Sequence, residues 1–205
     1  RRFAANASTV IDVGAGDSWF ATELQRTTLP AASTVCWDIS YTATDLSEWH
    51  HPTITRTVDA PHLKADLVVA LDVIEHVAND QEFVNHTLAP LLHPHGVLIV
   101  SVPAHQRLFT RHDTALGHYR RYSQRQLHSL LEAQFHIVAE GSLFTALLAP
   151  RFASVVIERL RPSTSSATPE SEWKRGGLLT AIVSTALRTD AAVNSALRRC
   201  GIRLP

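Results

Sequence analysis

One unbroken β-forming run, Ala65-Asp66-Leu67-Val68-Val69-Ala70-Leu71, constrains this chain more than any other segment. A strand with one wet face alternates apolar and polar residues. Here the apolar residues run consecutively from Leu67 to Leu71, so both faces of the strand must be covered. Comparable runs stand at Thr9–Val13, 34–37 and 97–102, with a weaker one at 54–58. Between them lie helical patterns, with Trp19, Phe20 and Leu24 after the first run and Phe83, Val84 and Leu88 after the fourth. Asp17 or Ser18 can cap the earlier helix. Strands alternating with helices predict an α/β fold whose mostly parallel central sheet carries helices on both faces.

Later segments extend the pattern. Pro94-His95-Gly96 punctuates the chain before the fifth strand. Ser123 and Gln126 have capping-box spacing ahead of Leu127, Leu130 and Leu131. Residues 135–143 read as a sixth strand, 144–160 as a largely apolar helix and 178–197 as a last helical region, so 144–205 forms a helical extension. With 205 residues, 45% hydrophobic and 19% charged, the chain has the make-up of one soluble globular domain, 1–205.

Charge and cysteine usage narrow the partners. Zero formal net charge argues against a large basic footprint for nucleic acid. Cys36 and Cys200 form no disulfide framework or CxxC pair, which points to a reducing, cytoplasmic setting. No signal peptide and no apolar stretch of about 20 residues is visible. From Glu140 onward there are nine Arg/Lys against five Asp/Glu. The 144–160 segment, with Arg151 and Arg159, can therefore lie peripherally on a membrane or form a homodimer, or simply pack on its own domain.

Chemistry concentrates at two places. In Asp12-Val13-Gly14-Ala15-Gly16-Asp17 the glycines allow a sharp strand-to-helix turn and close approach of the backbone to a ligand, although a GxG also serves ordinary turns. Trp19 stands where a dinucleotide fingerprint requires its third glycine. That disfavours a pyrophosphate and leaves room for a nucleoside without phosphates. It also disfavours a nucleotide-linked oxidoreductase or epimerase, which would want a Tyr-xxx-Lys pair as well. Asp38 ends the second strand near the spacing at which a carboxylate accepts from ribose hydroxyls. Asp59, before Ala60, ends the third element, where it can face an adenine amino group or merely make a turn.

These motifs resemble those of class I S-adenosylmethionine-dependent methyltransferases. Val10–Asp17 looks like their first motif, and residues 66–77 are similar to the fourth-strand motif of the ubiquinone-methyltransferase-like branch. The likeness extends over 7–143. It implies a Rossmann-like fold, S-adenosyl-L-methionine as cofactor and S-adenosyl-L-homocysteine as product. It further implies Asp12 near the methionine amino group, with Gly14 and Gly16 making room for the cofactor. Asp38 would lie on the ribose, Asp59 and Ala60 beside adenine, and Leu71 and Asp72 along the methionine. Family sheets finish with a strand after a Leu-Pro like Leu204-Pro205, so a final strand is expected beyond this sequence.

The second place is 104–122, following a strand end, where ligands bind in open sheets. It gathers His105, His112, Asp113, His118, Tyr119, Arg120, Arg121 and Tyr122. The expected role is a lid or substrate loop, in which Arg120 or Arg121 pairs with an anionic group. Trp19, His112, Tyr119 and Tyr122 would shape the acceptor slot. The alternative is a solvated connection. His76, His105 and His118 are the candidate bases. Asp72, Glu75 and His76 lack a further partner at a diagnostic metal spacing, so no metal is expected. The expected reaction is methyl transfer to an oxygen or nitrogen of a small-molecule or lipid-like acceptor. The alternative outside enzymology is a non-catalytic nucleoside-binding or protein-interaction module of the same fold.

Overall fold

Each β-forming run finds a neighbour pointing the same way, because every connection between them is long enough to cross over the sheet. The computed structural model describes residues 6–142, together with 148, 151–153, 155, 156 and 189. Its strands are β1 (Thr9–Val13), β2 (Ser33–Trp37), β3 (Ile54–Thr57), β4 (Ala65–Leu71) and β5 (Leu92–Ser101). They pair in parallel in the order β3-β2-β1-β4-β5. The chain moves outward from β1 to β3 and then restarts at β4 on the other side of β1. That reversal between β1 and β4 is the place where open α/β sheets bind ligands.

Alternate residues feed opposite faces. Val10, Leu67 and Val69 pack with Leu29, Ala32 and with Phe20 and Leu24 of α1 (Trp19–Thr27). Cys36 and Ile54 pack with Tyr41 and Ala21, close to α2 (Ala43–Ser47). The intervening residues Ile11, Val13, Val68 and Ala70 face Val84, Leu88, Leu91 and Leu130. Those come from the wide turn Val84–Leu88 and the tight turn Ala89–Leu91 that continue α3 (Asp80–Phe83), and, beyond α4 (Arg111–Ala115), from α5 (Gln124–Leu131). The sheet is covered on both sides, as its unbroken apolar runs require.

The caps divide as their chemistry dictates. Asp17 Oδ1 accepts from the Trp19 amide at 3.0 Å at the start of α1. Ser18 is buried with φ 64° and turns instead to the Tyr41 hydroxyl (2.8 Å) and Arg56 Nε (2.9 Å). On α5 the expected box forms: the Gln126 amide donates to Ser123 Oγ at 3.3 Å, and the Ser123 amide to Gln126 Oε1 at 2.9 Å.

Three expectations need correction. β5 begins at Leu92, and Pro94-His95-Gly96 forms a bulge inside it: Ala65 pairs with Leu92 and Leu67 with Val97. His95 takes φ 68°, and a Cβ on Gly96 would meet Leu92 Cδ2 at 2.8 Å and the Ala65 carbonyl at 3.1 Å, so the bulged chain lies tight against β4. The sixth strand does not form in 135–142. The Phe135 amide bonds back to the Leu131 carbonyl at 2.9 Å, Phe135 packs into the core below, and Glu140 is drawn to His128 on α5. Finally, 104–122 is no featureless loop. It carries a short turn at Gln106–Leu108 and helix α4, whose Asp113 carboxylate accepts from the Thr110 amide at 2.8 Å. Most of the expected 144–205 extension, with its membrane or dimer contact, and the last strand lie outside the described residues. Among the described residues, no helix is long and apolar enough to cross a membrane.

Two glycines after β1 separate backbone strain from crowding. Gly14 has φ +66° and a Cβ there would lie 2.5 Å from Val73 Cγ2, whereas Gly16 has φ +52° with open space around it. Gly16→Ala should cost about 1–2 kcal/mol from left-handed strain alone. Gly14→Ala adds a clash and should cost about 2–4 kcal/mol. Urea unfolding checks both, and an equal loss would mean that Val73 yields freely.

Candidate functional site

Parallel pairing delivers every strand's C-terminal end to one edge of the sheet. Across that edge stand Asp59 and Ala60 after β3, Asp38 after β2, Gly14 and Gly16 after β1, and Asp72 after β4. Residues chosen separately along the sequence thus share one rim. Gly14 holds its amide on the Trp37 carbonyl at 2.7 Å, which fixes the turn against β2.

Asp38 is the most tightly held group of the rim. Its Oδ2 accepts from the Gly16 amide at 2.8 Å, and its Oδ1 from the Ser40 amide (2.8 Å) and Ser40 hydroxyl (2.6 Å). Partial burial pushes its acidity the other way, but the bonds from Ser40 and Gly16 prevail and hold the carboxyl below the usual range. The group is a fixed anion with a free lone pair on Oδ2. Ser40 escaped the sequence reading; the Asp38-Ile39-Ser40 spacing, typical of a carboxylate closing its own turn, was the available signal.

Asp12 is the opposite case. It is 3% exposed, and its Oδ2 has no hydrogen-bond partner among the described residues. Burial, with the charge of Asp38 adding to it, pushes its pKa up to about 7. An unpaired carboxylate at the base of an open rim marks a place where an external donor or cation would be favoured. At Gly16, on the same rim, an added Cβ would meet nothing within 4 Å.

The other expected cofactor positions are less uniform. Asp72 is exposed and left-handed at φ 54°, with its amide on the Ser101 carbonyl (3.0 Å) and its Oδ1 accepting from Ser101 Oγ (3.1 Å). Leu71 packs into the α1-side core, half-buried. Asp59 and Ala60 are exposed, the Asp59 amide donating to Thr57 Oγ1 at 3.1 Å. Trp19 remains 64% exposed and Tyr119 58%, large apolar groups left in water near this rim; Ile39, 83% exposed, is a third that the sequence reading missed.

The 104–122 segment is latched onto the region after β4. The Tyr119 amide donates to the Glu75 carbonyl at 2.8 Å, and the His118 ring meets the His76 ring edge-on at 4.6 Å. Arg120 pairs with Asp80 at 2.6 Å, and the buried Tyr122 donates its hydroxyl to the same carboxylate at 2.8 Å. Arg121 pairs with Asp113 at 2.7 Å. Asp113 is fully buried and also accepts from His118 Nδ1 (3.2 Å) and Arg151 (2.7 Å). Burial would raise its pKa, yet Arg121, the Thr110 amide and His118 hold it down at about 2. Both arginines expected to meet an anionic acceptor therefore face carboxylates of the chain itself. His105 heads the segment at φ 65° with its amide on the Tyr122 carbonyl (3.0 Å), and His112 is exposed on α4. Of the candidate bases, the fold brings His76 and His118 together.

The family model described as a methyltransferase domain matches residues 1–139. The chain belongs to the methyltransferase domain family. Its sheet and flanking helices are those of the class I S-adenosylmethionine-dependent fold. No curated protein matches it in sequence. Among solved structures it is similar to an O-methyltransferase family protein from Burkholderia thailandensis, with 20% identity and a TM-score of 0.54 over 68% of this chain and 48% of that one. It is also similar to human N-acetylserotonin methyltransferase in complex with SAM, with 15% identity and a TM-score of 0.53 over 68% of this chain and 45% of that one. The chain thus spans about half the length of these two proteins. A third, the [4+2]-cyclase SpnF, shares 19% identity and a TM-score of 0.56 over 90% of this chain and 69% of that one. At such identities the likeness concerns the fold, and the cyclase's name shows that this fold also carries other chemistry.

The buried carboxyl gives this methyltransferase domain a pH signature. Folded, Asp12 keeps its proton up to about 7; unfolded, it releases it near 3.8. The folded state holds the extra proton between these values, so stability falls as pH rises from about 4 to about 7. Asp12→Asn should weaken that dependence and melt higher than the native chain at pH 8 in scanning calorimetry without ligand. A lower melting temperature there would contradict an unpaired Asp12.

Proposed function

We propose that the domain binds S-adenosyl-L-methionine at the strand-end rim and transfers its methyl group to an oxygen or nitrogen of a small-molecule or lipid-like acceptor. The observation that carries this reading is the buried Asp12 oxygen without a hydrogen-bond partner among the described residues, close to the fixed anion Asp38, in a rim where a Cβ on Gly16 would meet nothing. The donor's amino group would complement Asp12. Gly14 and Gly16 would let the backbone lie close, and Asp38 would accept from the ribose. One hydroxyl can use the free lone pair of Oδ2, while a second would displace the Ser40 hydroxyl from Oδ1. Asp59 and Ala60 fit beside adenine, and Leu71 and Asp72 along the methionine. The similarity of 66–77 to the ubiquinone-methyltransferase-like branch supports that branch as the nearer kin.

The bound sulfonium supplies an already activated methyl group, so the chain's own work is alignment and exclusion of water. Trp19, Tyr119 and His112, exposed in the ligand-free chain, offer walls for an acceptor. The latched 104–122 segment fixes where that acceptor stops. Arg120, Arg121 and Tyr122 act in this reading by holding the segment on Asp80 and Asp113 rather than by touching the acceptor. An oxygen or nitrogen acceptor must also lose a proton. His76 is exposed, and burial of its ring edge together with the proximity of His118 lowers its pKa, so it stays neutral and able to accept that proton at pH 7. His118 and His105 are the other candidates.

A non-catalytic binding role for the same rim is favoured only by the breadth of chemistry on this fold, which the cyclase represents. Titration calorimetry separates the readings in two steps. S-adenosyl-L-homocysteine should bind one per chain, and Asp38→Ala should weaken it roughly 10–100-fold, the effect of losing charge-assisted hydrogen bonds worth about 1.5–3 kcal/mol. Absence of heat with either donor or product would remove the proposal. Binding without transfer of labelled methyl to any of a panel of phenols, amines and prenylated quinols would favour the binding role.

A further inference from the structure

Arg56, the third residue of β3, reaches across β2 to the turn that follows β1. Its Nε donates to Ser18 Oγ at 2.9 Å, its Nη2 to the Asp17 carbonyl at 2.6 Å and its Nη1 to the Asp45 carbonyl of α2 at 3.3 Å. These three acceptors are uncharged, so the guanidinium works here as a planar fork of donors rather than as half of an ion pair. Its Cζ also lies over the Trp49 ring, 3.8 Å from the centroid, and over the Tyr41 ring at 4.9 Å. Rings and hydrogen bonds together fix the plane of the group.

Ser18 is the residue that needs such holding. It is fully buried at φ 64° and ψ 19°, a left-handed conformation that disfavours any residue with a Cβ. Its side chain makes no cap bond to α1. The hydroxyl is shared instead between Tyr41 and Arg56, and burial pushes the Tyr41 hydroxyl up to about 12 although its bond to Ser18 pulls it down. Strain of this kind persists only where the surroundings over-determine it. The turn is accordingly held from two sides. Trp37 and Asp38, at the end of β2, take the Gly14 and Gly16 amides, and Arg56 of β3 takes Asp17 and Ser18.

We propose that Arg56 is a positioning residue for donor binding: it clasps Asp17 and Ser18 and so keeps the turn at residues 14–18 in the shape that receives the nucleoside. The inference rests on the donor-rim reading of the preceding section and adds to it a residue that acts through the turn, without touching the donor. The same guanidinium ties the turn to β3, whose end carries Asp59 and Ala60, and to Tyr41 and Asp45 in the stretch after Asp38. The three pieces expected around ribose and adenine are thereby set relative to one another before any ligand arrives. A rim ordered in advance loses less freedom on binding, and the gain is read as affinity. Lysine cannot substitute, because one ammonium does not span three divergent acceptors.

The test is titration calorimetry of the full chain with S-adenosyl-L-homocysteine, at a temperature where circular dichroism shows each variant folded. Arg56→Gln should weaken binding at least ~10-fold, the scale of one lost charge-assisted hydrogen bond. Arg56→Lys should stay weakened, since it keeps the charge without the fork. Ser18→Ala should weaken binding by a smaller factor, and the double variant should lose less than the product of the two single losses, as groups that act together do. A residue that merely stabilised the fold would lower the melting temperature and leave the affinity of the folded chain unchanged. Native affinity in folded Arg56→Gln or Arg56→Lys would therefore overturn the clasp, as would single losses that multiply in full. If Arg56→Gln does not fold, Ser18→Ala decides, and unchanged affinity there overturns the clasp too. Absence of binding by the native chain would instead remove the donor reading itself, whereas native binding with undiminished variants removes the clasp alone.

Discussion

The geometry of the rim rests on β1, which pairs in parallel with β2 on one side and β4 on the other. Thr9 faces Ser33 and Val13 faces Trp37, while Val13 also lies opposite Ala70. This shared register sets Gly14 level with Asp38 and with Leu71, the residue before Asp72. A slip of one residue in either pairing would turn Ile11 and Val13 toward the wrong helix layer and move every carboxylate of the rim. Core packing therefore enforces site geometry: the valines and leucines that exclude water below are what align the polar groups above.

Four carboxyl groups show how much the surroundings decide. Asp38 has three hydrogen-bond donors on it and remains an anion. Asp113 is deeper yet stays ionised because two guanidiniums, an amide and an imidazole converge on it. Asp12 and Glu75 are as buried as Asp113 but have no guanidinium bonded to them, so burial drives both upward, for Glu75 against the pull of its own backbone amide. The two satisfied groups tie turns and segments together and stabilise the fold. The two unsatisfied groups cost stability and adjoin open space or clustered imidazoles. Among the described residues, both of these carboxyls thus adjoin the C-terminal side of the sheet, where external groups can meet them.

Much of this was readable from the amino-acid order because both signals are local. The runs at Thr9–Val13 and Ala65–Leu71 report burial on both faces through their own composition, and Gly14 and Gly16 mark the turn by type. Asp38 followed from its position at a strand end. The bulge in β5 was not readable, since it depends on Gly96 meeting the Ala65 carbonyl across the sheet. Residues 135–142 carry an apolar pattern suited to a strand, but Phe135 is claimed by the core beneath α5 and Glu140 by His128. The arginines were legible as charges and not as pairs: Arg120 finds Asp80, and Arg121 finds Asp113, only after the chain folds back. For the same reason His76 lacked a visible companion. His118 lies far away in sequence and arrives through the latch.

The short segment Asp72–His76 joins the two functional regions. Asp72 closes β4 in a left-handed conformation beside the rim, Val73 fills the space that Gly14 leaves open, and the Glu75 carbonyl receives the Tyr119 amide. A shift on either side must pass through these few residues, because β4 below them is locked between β1 and β5. Filling the space at Gly14 would press on Val73, and Val73 is followed at once by the buried Ile74 and Glu75. Neither can move without disturbing the core or the latch. The rim and the His76–His118 corner are consequently one rigid unit, joined by packing and main-chain hydrogen bonds.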